Sequence, residues 1–305
     1  MKETYISLNG RITPYEEAKI HVSSVAMKYG ASVFEGIRGY WNEEQKELYL
    51  FALEQHLKRL LDSMNLMGME HDYSVDKLIF QVEEIVKANQ LKQDCYIRVA
   101  ASIEADGPLD TRGPVLLNIA AFPQGRKPIQ TGIKVSISSW TRLSDNMMPP
   151  RIKCVANYQN GRIALLLAKT DGYDNTILLN QNGKVAEAPT AAVFLVKNGV
   201  LTTPVVTDGI LESITRRFLI EVARELNIPI IERQIDRSEC YLADEAFLCG
   251  TGAEILPIRS IDHYLIGDGK DGIITQRLKN FYFDVVYGKK PKYSHLLFPI
   301  YNSKG

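Results

Sequence analysis

The chain has 305 residues, 45% of them apolar, enough to bury a sizeable core and, at roughly 150 residues per domain, to form about two domains. Lys plus Arg and Asp plus Glu each number 36, giving a formal charge of zero, which argues against a nucleic-acid or anionic-membrane footprint. Cys95, Cys154, Cys240 and Cys249 form no C-x-x-C pair and lie near no histidine cluster, so neither a disulfide framework nor a metal site is expected. The N-terminal stretch has no apolar h-region, and the apolar run Ile163–Ala168 is far too short to span a bilayer. The expectation is a reduced, cytoplasmic, globular protein.

Taken in chain order, the elements begin with a hairpin. Tyr5–Leu8 and Arg11–Thr13 flank Asn9-Gly10, a pair suited to a tight primed turn. Tyr29–Tyr40 reads as strand, with Gly30, Gly36 and Gly39 marking bends or close backbone approaches. Leu53–Met67 carries an apolar stripe at helical spacing, and Val75–Val86 repeats the pattern. Strands are expected at Tyr96–Ala101 and Val115–Phe122. Pro123–Gly132 is rich in Pro and Gly and reads as an interdomain loop. Beyond it come a strand at Ile133–Ser138, a helix at 157–169, a strand at Thr176–Leu179, and tight turns at Asn182-Gly183 and Asn198-Gly199. The apolar strand Ala191–Val196 lies between those turns. A helix over Ser213–Leu226, strands at Ile228–Glu232 and Glu245–Cys249, and a helix over Ile273–Val286 complete the reading. Strands joined by tight turns with helices interspersed imply α+β rather than a doubly wound parallel sheet.

Several residues stand out for their chemistry. Lys153 follows Pro149-Pro150, which disfavour helix, so it sits on a loop just before the next helix. A lysine becomes nucleophilic near neutral pH only when desolvated or beside another cation, and an isolated one is usually a solvated surface group. Glu187 ends a turn before an apolar strand; it is either solvated or paired with a buried cation such as a protonated pyridine nitrogen. Arg59 lies off the apolar stripe of its helix, either solvated or part of an anion site. Ser213-Ile214-Thr215 opens a helix, where Ser213 or Glu212 would cap it or free N–H groups would hold a phosphate. Gly250-Thr-Gly252 follows a strand, and such a turn can offer a hydroxyl and N–H groups to an anion.

The order and spacing of these features carry more than any one of them. Tyr29-Gly-Ala-Ser-Val-Phe-Glu-Gly-Ile-Arg38, Tyr96-Ile-Arg98, Lys153 with Asn157-Tyr158, Glu187, Ile214-Thr215-Arg216 and Gly250-Thr-Gly-Ala-Glu254 together resemble the fold-type IV (class IV) pyridoxal-phosphate (PLP) aminotransferases. Within that group the chain is most similar to the branched-chain amino acid aminotransferases, from about Tyr5 to Ile261. The resemblance implies the two-domain, D-amino acid aminotransferase-like α+β fold with PLP at the domain junction. Its expected parts are a small N-terminal domain over residues 1–123, an interdomain loop over 124–137 and a large PLP-binding domain over 138–305. It further implies that Lys153 holds PLP as a Schiff base and shuttles the substrate proton. Glu187 would pair with the pyridinium nitrogen, Tyr158 with the phenolic oxygen, and Leu211 would pack on the ring. Arg59, Ile214, Thr215 and Thr251 would hold the phosphate. Tyr96, Thr251, Gly252 and Ala253 would face the substrate α-carboxylate, and Tyr29, Phe34 and Gly36 its aliphatic side chain. Arg98 would meet the distal carboxylate of glutamate, with Arg38 ordering the pocket. The implied reaction is ping-pong transfer between L-branched-chain, or broader hydrophobic L-amino acids, and 2-oxoglutarate, in a homodimer or higher oligomer, with no metal.

The sequence departs from the family pattern at several points. Gln124 stands where an aromatic Trp is usual, Lys127 where another aromatic residue is usual, and Val99 where Pro often follows the Tyr-x-Arg motif. The stretch 104–113 is shorter than in those enzymes, and Glu212-Ser213 replaces a Pro-Gly pair. These changes bear on the amino donor rather than the cofactor. The competing readings on the same fold are a D-amino acid or (R)-amine transaminase and an aminodeoxychorismate lyase. Tyr96-Ile-Arg98 favours the L-specific group, and an intact Lys153 with Glu187 argues against a non-catalytic homologue.

Overall fold

A computed structural model describes residues 4–126 and 132–302, which fall into two compact units. Among the described residues, the first consists of the chain up to Arg126, the short segment Ile152–Ala156, and the C-terminal stretch from Asp284. Its sheet is built from β1 (Tyr5–Leu8), β2 (Arg11–Pro14), β3 (Ser32–Asn42), β4 (Glu47–Phe51), β5 (Cys95–Ile103) and β6 (Val115–Pro123). The order runs β4-β3-β5-β6-β1-β2, every pairing is antiparallel, and the C-terminal strand Leu297–Pro299 adds to the outer side of β4. The expected hairpin is present, with Asn9 and Gly10 both at positive φ.

The α-helices α1 (Val25–Tyr29), α2 (Leu53–Leu66) and α3 (Val75–Ala88) lie in this unit. α2 packs on β3 and on α3, and α3 also covers β1 and β6. The apolar stripe of α2 is buried at Leu53, Leu57, Leu60 and Met64, as its period requires.

The stretch Tyr29–Tyr40 differs from its expected form. Tyr29 ends α1, and Gly30 caps that helix in the left-handed region at φ 73°, a role glycine fills without a Cβ penalty. β3 then runs unbroken through Gly36 and Gly39. These two glycines are close approaches rather than bends. A Cβ on Gly36 would lie 1.8 Å from the Tyr96 hydroxyl, and one on Gly39 2.5 Å from the Cys95 sulfur.

The second unit has its own sheet: β7 (Ile133–Thr141), β8 (Asn175–Leu179), β9 (Ala192–Lys197), β10 (Val200–Thr203), β11 (Ile230–Glu232), β12 (Glu245–Gly250), β13 (Glu254–Ile261) and β14 (Tyr264–Leu265). The order is β11-β10-β9-β12-β13-β7-β8, with β14 on β13. Pairings β10–β11, β13–β7 and β7–β8 are parallel and the others antiparallel. Its helices are α4 (Asn157–Thr170), α5 (Ile214–Glu225), α6 (Arg237–Tyr241) and most of α7 (Ile273–Val286). The core of this unit centres on Val135, Ile177, Val193, Leu195, Leu248 and Ile258.

All four cysteines are free and buried, and burial pushes the thiols of Cys95 and Cys240 up to about 12, which keeps them protonated and inert. Among the described residues no helix is long and apolar enough to cross a membrane, and no cluster of His, Cys, Asp and Glu could hold a metal ion. Lys127 lies outside the described residues.

Candidate active site

In the first unit the register of β3 against β5 places Phe34 opposite Ala100, Gly36 opposite Arg98 and Arg38 opposite Tyr96. Strand side chains alternate between faces, so Phe34, Gly36 and Arg38 share one face of β3. The Arg98 guanidinium lies 3.9 Å from the Phe34 ring centroid, and the Lys153 ammonium 5.0 Å from it. Tyr96 occupies the space that Gly36 leaves by lacking a side chain and packs against Phe122 at 5.7 Å. Arg38 is buried, its guanidinium 5.6 Å from the Tyr40 ring. Tyr29, at the end of α1, is about half exposed.

Lys153 belongs to this unit although its flanking stretches belong to the other. It lies on the loop before α4, where the prolines place it. Its N–H donates to the Ser63 hydroxyl at 3.2 Å, and its carbonyl accepts from the Phe34 N–H at 2.9 Å. Cys154 bridges Val33 in antiparallel fashion, and Val155 N–H donates to the Ser32 carbonyl. The lysine backbone is thereby strapped to β3 and α2.

α2 has a second buried stripe, made of polar residues. His56, Arg59 and Ser63 fall within one arc at 100° per residue, and His56 and Ser63 are buried. Glu35, on β3, reaches into this arc. Arg59 donates from Nε to Glu35 Oε1 at 2.6 Å and from Nη2 to Oε2 at 2.9 Å. His56 Nδ1 lies 2.7 Å from Oε2. Burial alone would raise the Glu35 carboxyl, but the charge of Arg59 and the contacts of His56 outweigh it and hold the group well below the usual carboxylate range. Burial pushes the His56 imidazole down, which Glu35 only partly offsets. A neutral imidazole beside an ionised carboxylate must carry its proton on Nδ1, because the carboxylate only accepts.

In the second unit Glu187 is 6% exposed. Arg142 Nη2 lies 2.6 Å from its Oε1, and the Leu211 N–H donates to Oε2 at 3.2 Å. Arg142 is itself buried and donates from Nε to the Gly209 carbonyl. Glu187 therefore accepts on both oxygens, from the Arg142 guanidinium on one and from the Leu211 N–H on the other.

α5 begins at Ile214, capped by Ser213, whose hydroxyl accepts from the Arg216 N–H at 3.2 Å. The N–H groups of Ile214 and Thr215 precede the first intrahelical bond, and both residues are buried. Buried N–H groups at the positive end of a helix suit an anion. Arg216 anchors this end: it donates to Thr203 Oγ1, the Pro204 carbonyl and Glu232. Thr251, Gly252 and Ala253 form the turn that joins β12 to β13, whose pairing closes at Gly250 and Glu254. Tyr158 lies in the first turn of α4.

A profile of the amino-transferase class IV family matches residues 32–261. The chain belongs to the class IV aminotransferases. This aminotransferase is 40% identical over 299 residues to a probable branched-chain-amino-acid aminotransferase of Aquifex aeolicus, with 96% of each chain covered. Among solved structures, the branched-chain aminotransferase of Thermoproteus uzoniensis with norvaline superposes with a TM-score of 0.94 at 42% identity, covering 98% of this chain and 100% of that one. A branched-chain amino acid aminotransferase of T.th. complexed with N-(5'-phosphopyridoxyl)-L-glutamate gives 0.93 at 34% identity, covering 98% and 99%.

The class IV aminotransferase thus divides its candidate residues between its units. The first holds Lys153, Arg59, Tyr29, Phe34, Gly36, Arg38, Tyr96 and Arg98; the second holds Tyr158, Glu187, Leu211, Ile214, Thr215, Thr251, Gly252 and Ala253. Glu35, His56, Ser63 and Arg142 are not singled out for a role by the sequence reading. Two signals are present all the same. A carboxylate in the interior of an apolar strand needs a buried partner, and His56, Arg59 and Ser63 repeat at helical spacing.

Proposed function

We propose that this chain is a PLP-dependent aminotransferase that exchanges the amino group of L-branched-chain amino acids with 2-oxoglutarate. The observation that carries the reading is the strapped backbone of Lys153, held by Ser63 and Phe34 with its ammonium beside an apolar ring. The relatives' names, the norvaline complex and the phosphopyridoxyl-glutamate complex support the substrate and cofactor classes.

Bound PLP supplies an electron sink for the pair left at the substrate Cα when its proton departs. On this reading Lys153 anchors the cofactor covalently and moves the proton from that Cα. Glu187, kept ionised by Arg142, holds a proton on the ring nitrogen. Tyr158 donates to the phenolic oxygen, and Leu211 packs on the ring. Arg59, the N–H groups of Ile214 and Thr215, and Thr251 hold the phosphate. Phe34, Gly36 and Tyr29 receive the aliphatic chain, and Arg98 the distal carboxylate of glutamate, with Arg38 behind it. Tyr96, Gly252 and Ala253 face the α-carboxylate. A homodimer in the cytoplasm belongs to the same reading.

Borohydride treatment of the purified holoenzyme tests it: one PLP becomes fixed to the peptide containing Lys153. Lys153→Ala lowers turnover by about 10³-fold or more, the upper range for a lost proton-transfer group, while PLP still binds. A colourless protein that stays inactive with added PLP sinks the proposal. A donor screen with 2-oxoglutarate decides the substrate: D-alanine or an (R)-amine outpacing L-leucine, L-valine and L-isoleucine excludes the branched-chain assignment.

A further inference from the structure

We infer that Glu35 and His56 are positioning residues that set the orientation of the Arg59 guanidinium for a phosphate ester, an inference that rests on the reading of Arg59 as a phosphate ligand. Arginine on an exposed helix face samples many rotamers and must be ordered each time it binds an anion. Here the ordering is built into the fold. Two parallel N–H···O bonds from Nε and Nη2 to the two oxygens of Glu35 fix the plane of the guanidinium, the geometry that gives arginine–carboxylate pairs their directionality. The Arg59 side chain is 13% exposed, against 0% for Glu35 and 1% for His56, so of these three groups the cation is the one that reaches solvent appreciably.

Glu35 is held in turn. Its Oε2 accepts from His56 Nδ1, from Arg59 and from the Gly36 N–H at 3.3 Å. The same helix face continues to Ser63, whose hydroxyl donates to the Arg59 carbonyl and accepts from the Lys153 N–H. One turn of α2 therefore links the backbone of the anion-binding arginine to that of the lysine.

The cluster makes an unusual demand on charge. Glu35 opposes the positive charge of Arg59, and the neutral His56 adds none. Were Arg59 only a source of positive charge, removing Glu35 would tighten anion binding. If orientation governs, removing it weakens binding. The two ideas predict opposite signs.

The test uses apoenzyme prepared from the full chain. Dissociation constants are measured for PLP, for inorganic phosphate, and for pyridoxal, which lacks the phosphate. Glu35→Gln is expected to weaken PLP and inorganic phosphate by about tenfold, mid-range for coupled neighbours in one network, and to leave pyridoxal within about twofold. The same substitution in an Arg59→Lys background should have little further effect, because the fork is already gone. His56→Asn keeps a donor where Nδ1 stands and should retain phosphate affinity, whereas His56→Leu should lose part of it. Should Glu35→Gln fail to fold, Glu35→Asp, which keeps the charge but shortens the reach, and the His56 pair carry the same comparison. Unchanged or tighter phosphate binding overturns the inference, as does an equal loss for PLP and pyridoxal. Wild-type protein with no affinity for PLP removes the cofactor reading itself; wild-type affinity with Glu35→Gln unaffected removes only this inference.

Discussion

Glu35 and Glu187 are both buried carboxylates held by an arginine, one in each unit, and they are held differently. Glu35 is sealed, and its two oxygens take a guanidinium fork, an imidazole and a backbone N–H. Glu187 keeps a small exposed fraction, gives one oxygen to Arg142, and receives a long backbone bond on the other. Removing water from a carboxylate is costly in either case. In the first, the donors around Glu35 fix the arginine in front of it. In the second, one guanidinium nitrogen and one backbone N–H hold the carboxylate. On the function proposed above, the same pair of residue types offers a cation in one unit and an anion in the other.

The strongest way to break this contrast is Glu187→Gln. A presented anion that stabilises charge during the reaction should be worth about 10² to 10³ in kcat, so steady-state rates near wild type would place Glu187 with Glu35 as a purely internal group. Next is Arg142→Met, which leaves Glu187 buried without its cation. It should cost about 3–5 kcal/mol of stability, read from urea unfolding, and a loss below about 1 kcal/mol would mean the backbone N–H of Leu211 suffices.

Acid sharpens the same comparison. The folded His56 titrates below its ordinary value of 6.5, and Glu35 below its ordinary 4.5. Between each ordinary value and the lower folded one, the unfolded chain binds more protons, so stability falls as pH falls. Stability from these groups is therefore full above about pH 6.5, declines below it as His56 resists charging because it is buried and, to a lesser degree, because Arg59 and Lys153 are near, and declines further below 4.5 through Glu35. Chemical denaturation of His56→Asn should show a shallower slope between pH 6.5 and 5 than wild type; identical slopes would assign the acid sensitivity elsewhere.

Smaller effects come from the glycine and the cap. Gly36→Ala drives a methyl against the Tyr96 hydroxyl and should cost about 1–3 kcal/mol as an overpacking change, with a raised KM for the amino donor. A neutral result in both would show that Tyr96 swings aside freely. Ser213→Ala removes the cap of α5 and should cost about 1 kcal/mol, visible as a modest fall in Tm.

How much of this is legible in the sequence follows from where the information lies. α2, α3, α5 and α7 show because each repeats an apolar stripe over several turns. α1 and α6 have five residues each, too short for a stripe, and β4, β10, β13 and β14 do not stand out from the pattern around them. Gly36 and Gly39 look as much like bends as close approaches because the residues that need their space, Tyr96 and Cys95, lie on β5, far along the chain. Two prolines suffice to place Lys153 on a loop before a helix. Arg59 looks solvated because helical periodicity describes one helix at a time, and its partner Glu35 sits on a strand 24 residues earlier. Burial of a polar side is set by the neighbour, and a periodic pattern does not contain the neighbour.

The last strand of the first sheet has a consequence for synthesis. Leu297–Pro299 covers β4, and the N–H groups of Ile300, Tyr301 and Asn302 all donate to the buried Glu47 carboxylate. While the ribosome is still making the second unit, the nascent first unit has an open strand edge and a carboxylate awaiting its donors. Such an edge can pair with another chain until Leu297–Pro299 covers it.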